Sequence, residues 1–438
     1  MTLNTLLHTA TKLPISSVDI TCDLTALEYC SITQAKRQTL VVFQKLQPPI
    51  MSASASASSL PSSSSPTIIL TNPTPQERTR TWLYNQTEWG NSLTVPDYLE
   101  REEYLLSIPL ARNGGITNWI LTDDAAAPVN GERPVLAACE TLRKRALVRN
   151  RDGSVQDVFA YGIASVFTHK EFRGRGYAGK MIELLRGYMA AQQREIGEPA
   201  FSVLFSDIGR VFYAKHGWLP LENTQIEFRV RQTAAELDTS SVTLVHEEHL
   251  AELAERDEAL IRKEIAKPNA VDASKFRVAV IPDIDALQWH FYREAFICNA
   301  AFGRKPTVHG ALYTSPSTGS RVWGLFERNH YGGPDQPEKN LLSFLRFVIE
   351  DESISDEELS TAVVGIFRAA EKEAKDWACS KVEIWNPLET VRKAAEAATE
   401  FQTTFVVRQD KNLASLNWFG EGATEDIDWV VNERFEWC

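Results

Sequence analysis

The sequence has few cysteines and no pattern among them. Its 438 residues include six, which are widely spaced: Cys22, Cys30, Cys139, Cys298, Cys379 and Cys438. None forms a C-x-x-C pair, so neither a zinc site nor a dithiol redox motif is predicted. Scattered cysteines in a chain of this length indicate a reduced, intracellular protein. We therefore expect a cytoplasmic location and no bound metal.

Long apolar runs and excess positive charge are also missing. No stretch reaches the roughly 18 apolar residues that predict a transmembrane helix, and the N-terminus lacks the compact apolar core of a secretory signal. The net charge of −12 disfavours a nucleic-acid partner. We expect neither nucleic acid nor membrane as a partner, and the acidity is compatible with a cationic small molecule.

Charge is absent altogether from residues 46–76, and residues 51–66 are almost entirely Ser, Ala and Pro. Such a composition cannot build a core, so residues 1–66 are predicted to be a disordered extension. Met51 is an alternative start of translation. A mitochondrial transit segment is the alternative to a cytoplasmic extension, although residues 1–50 contain few arginines.

What the sequence does have is a glycine-rich run between an apolar stretch and an amphipathic one. Residues 160–167 predict a strand, 179–189 a helix, and the turn between them is Arg173, Gly174, Arg175, Gly176, Tyr177, Ala178 and Gly179. Such a turn directs backbone N–H groups and a helix N-terminus at one point, which suits a phosphate. Its glycines allow close approach, and its two arginines add charge. The turn predicts a pyrophosphate site.

Two common phosphate loops fit less well. The P-loop pattern G-x-x-x-x-G-K-[ST] is absent from this turn. Gly174 to Gly179 does match the dinucleotide pattern G-x-G-x-x-G, but that motif normally opens its fold. Here about 100 residues of predicted domain precede it.

The surroundings of the turn favour a different family. Arg173, Gly176 and Ala178 fit the arginine/glutamine-x-x-glycine-x-glycine/alanine signature with which GNAT-type N-acetyltransferases hold the pyrophosphate of acetyl-CoA. Downstream, residues 201–207 alternate as in a strand. Residues 209–218 then resemble the second signature of that superfamily, a short helix with a tyrosine followed by a glycine and an aromatic residue.

Scattered motifs resemble one branch of that superfamily, the fungal lysine N6-acetyltransferases of lysine catabolism, over about residues 67–438. They are residues 138–141, 160–167, 201–213, 289–290, 293–294, 310–311, 385–387 and 436–438. The resemblance implies transfer of an acetyl group from acetyl-CoA to the side-chain amine of free L-lysine, without a metal. The alternatives are another amine, such as a polyamine or a protein lysine, or a catalytically inactive CoA-binding sensor.

The predicted fold class is α+β. We expect the GNAT-type N-acetyltransferase fold, a mixed and mostly antiparallel sheet flanked by helices, over residues 67–235. A helical linker is predicted over 236–274, and a second, degenerate acetyltransferase-like domain over 275–438. In that domain 341–385 repeat the strand–helix–strand plan, but acidic residues at 350–352 and 356–358 replace the glycine-rich turn. They would repel a pyrophosphate, so we expect one CoA site per chain, with the second domain shaping the substrate pocket.

Acetyl transfer needs the thioester held, the amine deprotonated and the departing thiolate protonated. By the resemblance, the backbone of Val166, Phe167 and Thr168 holds the pantetheine arm. Tyr213, four residues before Gly217, is the predicted donor to the thiolate. A buried core aromatic is the alternative role for it.

Several residues are candidates for the general base. Glu140 ranks first, with Asp207, His169, a water relay and the C-terminal carboxylate of Cys438 as alternatives; the aromatic tail 429–437 predicts an ordered terminus. Cys139 is expected to be an inert buried thiol. His290, Arg293 and Glu294 are candidates for binding the α-groups of an amino acid, with structural ion pairing as the alternative for each.

Overall fold

The computed structural model describes residues 60–90, 92–231 and 240–438. The chain divides into two units, Met1–Leu60 and Pro61–Cys438, and every element below belongs to the second. The predicted disordered extension lies outside the described residues except for its last seven. Of those, Pro61–Pro66 has a defined turn, in which Ser65 N–H donates to Ser62 O at 2.9 Å. The prediction of disorder is therefore wrong for these six residues.

Most of the strands occur where alternating apolar residues predict them. In chain order they are β1 Ile68–Thr71, β2 Ile116–Asp123, β3 Ala137–Arg149, β4 Val155–Phe167, β5 Phe201–Ser206, β6 Leu219–Pro220, β7 Thr224–Arg229, β8 Val242–Val245, β9 Phe276–Val280, β10 Gly310–Thr314, β11 Arg321–Asn329, β12 Leu341–Ile349, β13 Lys381–Trp385, β14 Thr404–Val407, β15 Leu413–Trp418 and β16 Ile427–Trp429.

Several helices of the described residues begin at recognisable caps. They are α1 Pro75–Trp89, α2 Val95–Leu105, α3 Tyr177–Ile196, α4 Val211–Ala214, α5 Glu247–Ala266, α6 Ile284–Phe302, α7 Asp356–Asp376 and α8 Glu389–Ala397. Thr74 and Glu77 form a capping box at α1, with Pro75 in its first turn. Asp283 caps α6 by accepting the N–H of Ala286. Among these helices, none combines the length and apolar composition that crossing a bilayer requires.

The first sheet has the order β1-β2-β3-β4-β5-β15-β6 and is mainly antiparallel. Strand β3 is long enough to pair with two strands along one edge, β2 near its start and β9 near its end. Strand β16 then pairs in parallel with β9. Strands β4 and β5 also run parallel, joined by the phosphate turn and α3.

The second sheet repeats part of this plan, as the sequence predicts. Its order is β14-β7-β13-β12-β11-β10-β8, and β12 and β13 run parallel on either side of α7. At the start of α7, Ser355 accepts the N–H of Glu358, and three acidic residues occupy the first turn. Carboxylates there complement the helix dipole and would repel a bound anion.

Several strands cross between the halves of the chain. Strand β7 lies within residues 67–235, the range predicted for the first domain, but it pairs with β13 in the second sheet. Conversely, β9, β15 and β16 come from the C-terminal half and complete the first sheet. The predicted boundary near residue 235 therefore does not separate the two sheets, because long-range pairing and not chain order decides where an edge strand lies.

A shared core ties the sheets together. One cluster of buried apolar side chains contains Phe201 and Val278 of the first sheet and Trp323 and Leu345 of the second. Phe435 from the C-terminal tail joins it and is fully buried. Each Å² of apolar surface removed from water contributes about 25 cal/mol, so burial of this cluster stabilises the packing of the two sheets.

Candidate active site

A cavity of about 1260 Å³ lies where the two sheets meet. Its wall includes residues of β3, β4, β5, α2 and α6, together with β13 and the C-terminal residue Cys438. Pockets that convert or bind small molecules commonly lie at such junctions. The predicted site residues Glu140, Val166, Phe167, Thr168, Arg173, Ala178 and Tyr213 all line it.

One end of the cavity is a gap between β4 and β5. Their parallel pairing runs from Ala160 and Phe201 to Ile163 and Leu204 and ends there. At Ser165 the backbone takes φ +52°, opposite a register shift between Ala138 and Glu140 of β3. A bulge of this kind turns a strand away from its neighbour. The backbone of Val166 and Phe167 therefore borders the gap.

Thr168 provides a polar group at this end. Its Oγ1 is buried and has no hydrogen-bond partner among the described residues, and the residue lines the cavity. Arg173 Nε donates to the carbonyl of Thr168 at 2.9 Å, which fixes the turn relative to the end of β4. A buried hydroxyl without a partner suits a polar ligand.

The phosphate turn has the backbone that its glycines predict. Gly174 and Gly176 take φ +77° and +82°, and Gly176 is the N-cap of α3. A Cβ on Gly179 would lie 3.2 Å from Nε2 of His216, so this glycine allows close packing. With no side chain at its N-cap, α3 leaves N–H groups available to an anion.

Two residues of the turn, Gly176 and Tyr177, contact the residues before β1. The Tyr177 side chain is buried and donates its hydroxyl to the carbonyl of Pro61 at 2.6 Å. A Cβ on Gly176 would lie 2.8 Å from Oγ of Ser63. The N-terminal serine turn therefore packs directly against the start of α3.

Glu140 is held by uncharged donors. Asn118 donates to its Oε1 at 2.7 Å, and Ser165 donates to its Oε2 at 3.3 Å. Burial, with the nearby charge of Glu102, raises the pKa of Glu140 to about 7. A carboxyl group with that pKa gains and loses a proton near neutral pH, as a general base must.

Tyr213 lies on α4, and its side chain lines the cavity while being almost fully buried. Burial raises the pKa of the Tyr213 phenol well above its usual range, so the hydroxyl keeps its proton at neutral pH. Burial raises the pKa of the Cys139 thiol in the same way, which fits the inert role predicted for it.

The other predicted bases are placed differently. Asp207 lines the cavity and accepts the N–H of Asn412 at 3.1 Å. His169 instead stacks on Tyr84, with ring centroids 4.3 Å apart. Cys438 lines the cavity and packs against Gly162, where a Cβ would lie 2.8 Å from its sulfur. The tail is thus ordered, as predicted.

The three candidates for binding the α-carboxylate and α-ammonium of an amino acid differ in their partners and in their access to the cavity. Glu294 is buried and paired with Arg328 at 2.9 Å. His290 is buried, with Nδ1 3.3 Å from Glu327 and Nε2 bonded to the carbonyl of Phe435. Only Arg293 of the three lines the cavity. Structural pairing is therefore the observed role of the other two.

Sequence reasoning missed part of the cavity wall. Tyr98, Arg101 and Glu102 of α2 line it, as does Arg408 after β14. The charged stretch around residue 101 gives no sign of facing inward, because such a helix usually presents that face to solvent. The sequence signal for the inward face of α2 is the aromatic residue Tyr98.

The C-terminal half matches a known family. Residues 225–438 match the model of the LYC1 GNAT-like C-terminal domain. A lysine acetyltransferase of Yarrowia lipolytica is 28% identical over 276 residues, which cover 54% of this chain and 68% of that protein. An uncharacterized protein of Saccharomyces cerevisiae is 24% identical over 399 residues, or 83% of this chain and 96% of that one.

Solved structures were also similar. A probable N-acyltransferase from Enterococcus faecalis is 12% identical with a TM-score of 0.45, covering 81% of this chain and 73% of that one. A GCN5-related N-acetyltransferase from Anabaena variabilis has the same identity, TM-score and coverage. Residues 225–438 thus belong to a GNAT-like domain family, and the chain is related to a lysine acetyltransferase; the glycine turn and the mixed sheets are those expected of an acetyltransferase of the GNAT type.

Proposed function

We propose that the protein transfers the acetyl group of acetyl-CoA to the side-chain amine of free L-lysine, giving N6-acetyl-L-lysine and CoA. The amine attacks the thioester directly while both substrates are bound. The observation that carries this proposal is the cavity itself. It joins the gap between β4 and β5 to a wall containing Glu140, whose pKa is raised to about 7 by burial.

The residues present suit acetyl-CoA. The pyrophosphate is placed on the turn Arg173–Gly179, where two residues with positive φ and the start of α3 leave backbone N–H groups exposed. The pantetheine arm is placed in the gap, against the backbone of Val166 and Phe167 and the unpartnered hydroxyl of Thr168. The thioester then lies beside the bulge at Ser165.

Glu140 takes the role of general base. A lysine ammonium has an ordinary pKa near 10.4 and must lose a proton before it can attack. Glu140 next to Ser165 faces the end of the gap, and its carboxylate accepts that proton. A base whose pKa lies near the working pH is partly deprotonated before the reaction. It also binds the proton firmly enough to accept it from the ammonium.

Tyr213 takes the role of acid. Collapse of the tetrahedral intermediate expels the CoA thiolate, which needs a proton to leave readily. Tyr213 lines the same cavity and stays protonated because burial raises the pKa of its phenol. Its hydroxyl donates that proton, the attacking nitrogen releases its second proton to solvent as the amide forms, and Tyr213 then regains a proton from solvent.

The wall contributed by the C-terminal half favours a small substrate. Trp385, Arg434, Trp437 and Cys438 line the cavity on that side. A lysine within a folded protein needs room for its flanking chain, whereas a free amino acid needs none. A polyamine is the second candidate, because Glu102 and Glu140 would also attract a second amine. The kinship with a lysine acetyltransferase favours lysine.

The test is CoA release from acetyl-CoA with free amino acids, polyamines and a lysine-containing peptide, with products identified by mass. Selective formation of N6-acetyl-L-lysine supports the proposal. Turnover only with polyamine or peptide would replace the substrate and keep the acetyltransferase site. Tight acetyl-CoA binding without turnover of any amine would instead support a CoA sensor.

We further propose that the reaction serves lysine degradation and takes place in the cytoplasm. The chemistry supports a catabolic role, because N6-acetylation removes the side-chain charge and protects that amine during later steps at the α-amino group. Deleting the gene should slow growth on lysine as nitrogen source and abolish intracellular N6-acetyl-L-lysine. Fractionation that finds the protein in mitochondria would contradict the proposed location.

A further inference from the structure

We propose that Arg293 binds the α-carboxylate of the amino acid substrate and thereby selects free amino acids over other amines. This inference rests on the proposed function and adds to it the group that recognises the end of the substrate remote from the reacting amine.

Arg293 differs from the arginines beside it in having no anionic partner. Arg101 forms an ion pair with Glu102, and Arg434 lies 3.2 Å from Glu327. In the described ranges no carboxylate or carbonyl group pairs with the Arg293 guanidinium. The charge of Glu327 acts on it without forming an ion pair, and the ring of Trp437 lies 5.2 Å from the guanidinium carbon.

An unpaired guanidinium in an enclosed cavity carries an electrostatic cost. Burial, with the nearby positive charge of Arg101, lowers the pKa of Arg293. A carboxylate placed in the cavity would repay that cost, because a guanidinium forms two parallel hydrogen bonds with it. The side chain lines the cavity and is only partly exposed, so it is accessible to a ligand in the cavity.

Tyr98, Arg293 and the proposed base Glu140 line the same cavity. Besides burial, the pKa of the Tyr98 phenol responds to the carboxylates of Glu102 and Glu140, which raise it, and to Arg101 and Arg293, which lower it. The wall of the cavity therefore presents carboxylates for an ammonium and, in Arg293, a guanidinium without an ion pair for an anion. That pattern complements a molecule with a cation at one end and a carboxylate at the other.

Free lysine has this pattern, whereas the competing substrates do not. Cadaverine is lysine without its α-carboxylate, and a lysine inside a protein has an amide at that position. Each would leave Arg293 buried without a partner, which is the situation that discriminates most strongly between substrates.

A second cavity arginine provides the competing possibility. Nε and Nη1 of Arg408 are buried without a partner among the described residues. However, this guanidinium stacks on Trp385 at 3.9 Å, and its Nη2 is bonded to Asn223 at 3.4 Å. Arg293 has no such hydrogen bond among the described residues, so we assign the carboxylate to Arg293.

The experiment compares L-lysine, L-lysinamide and cadaverine as substrates of wild type, Arg293→Met and Arg408→Met. Methionine keeps an unbranched apolar stem against Trp437 and removes the charge. We expect wild type to prefer lysine, and Arg293→Met to lose about 100-fold in kcat/KM for lysine, the effect of one charged hydrogen-bonding partner. The values for lysinamide and cadaverine should change less than about threefold, and Arg408→Met should keep the preference for lysine.

Several results would overturn the inference. Equal losses on all three substrates, or loss of the preference in Arg408→Met instead, would remove Arg293 from carboxylate binding. If wild type acetylated lysinamide as well as lysine, the α-carboxylate would not be recognised. That result would overturn the inference even if Arg293→Met failed to fold. Failure of the proposed function looks different, since wild type would then acetylate cadaverine alone or none of these amines.

Discussion

Asn118 donates its side-chain amide to Oε1 of Glu140 over 2.7 Å, from the position directly opposite on the neighbouring strand. The ladder between β2 and β3 thus fixes the orientation of the carboxylate. Because the donor is uncharged, it orients Glu140 without the strong lowering of the pKa that an arginine would cause. Orientation and basicity are therefore supplied by different features, the strand pairing and the burial.

Replacing Glu140 by glutamine should remove the base while keeping the shape of the site. The acid limb of the kcat/KM profile for lysine is expected near pH 7, since activity requires the deprotonated carboxylate and the pKa of Glu140 is raised to about 7. Activity of the wild type should fall as the pH drops through that value. In Glu140→Gln we expect a loss of about 10²- to 10⁴-fold and no such limb.

Acetyl-CoA affinity serves as the control for Glu140→Gln, because the carboxylate is not placed against the cofactor phosphates. A variant that keeps both its rate and its acid limb would show that the base is another group. Asp207 and the terminal carboxylate of Cys438, which both line the cavity, would be the next to test.

The turn and the strand–helix–strand order could be predicted because they are local. Glycines at 174 and 176 readily adopt the positive φ of the turn. The alternation of apolar residues in the strands that begin at Phe201 and Lys381 is likewise a local pattern. The exchange of β7 and β15 between sheets could not be predicted, since it depends on pairing between residues that are far apart in sequence. The position of Arg101 in the cavity wall could not be predicted either, because the packing of α2 sets it.

Tyr213→Phe should slow the chemical step. Phenylalanine keeps the buried ring and its packing against Phe212, whose ring centroid is 5.0 Å away. The thiolate would then leave without a proton donor, and we expect kcat to fall about 100-fold with little change in acetyl-CoA affinity. Single-turnover kinetics and a separate binding titration measure the two effects. Full activity would return Tyr213 to the role of a core aromatic, the alternative that its sequence context allowed.

Gly176→Glu should abolish acetyl-CoA binding. The new side chain would meet Oγ of Ser63, would need a φ of +82° that L-residues disfavour, and would place a carboxylate at the N-terminus of α3. Gly187→Ala in the same helix is the matched control, because a Cβ there meets nothing within 4 Å. That control should bind normally and be stabilised by about 0.5–1 kcal/mol. Unchanged affinity in Gly176→Glu would refute the phosphate cradle.

The serine turn before β1 gives a test of the same cradle by charge alone. Ser63 lies against Gly176, whereas Ser64 is exposed and bonds to Ser62 at 2.8 Å. Ser63→Asp would bring a negative charge to the place proposed for the pyrophosphate, and like charges repel more strongly where water is partly excluded. We expect acetyl-CoA to bind about tenfold more weakly to Ser63→Asp, and the effect should shrink at high salt. Ser63→Ala and Ser64→Asp should bind as wild type does. If Ser64→Asp weakened binding equally, the cause would be the added charge on the surface as a whole, and the result would contradict a pyrophosphate site beside Ser63.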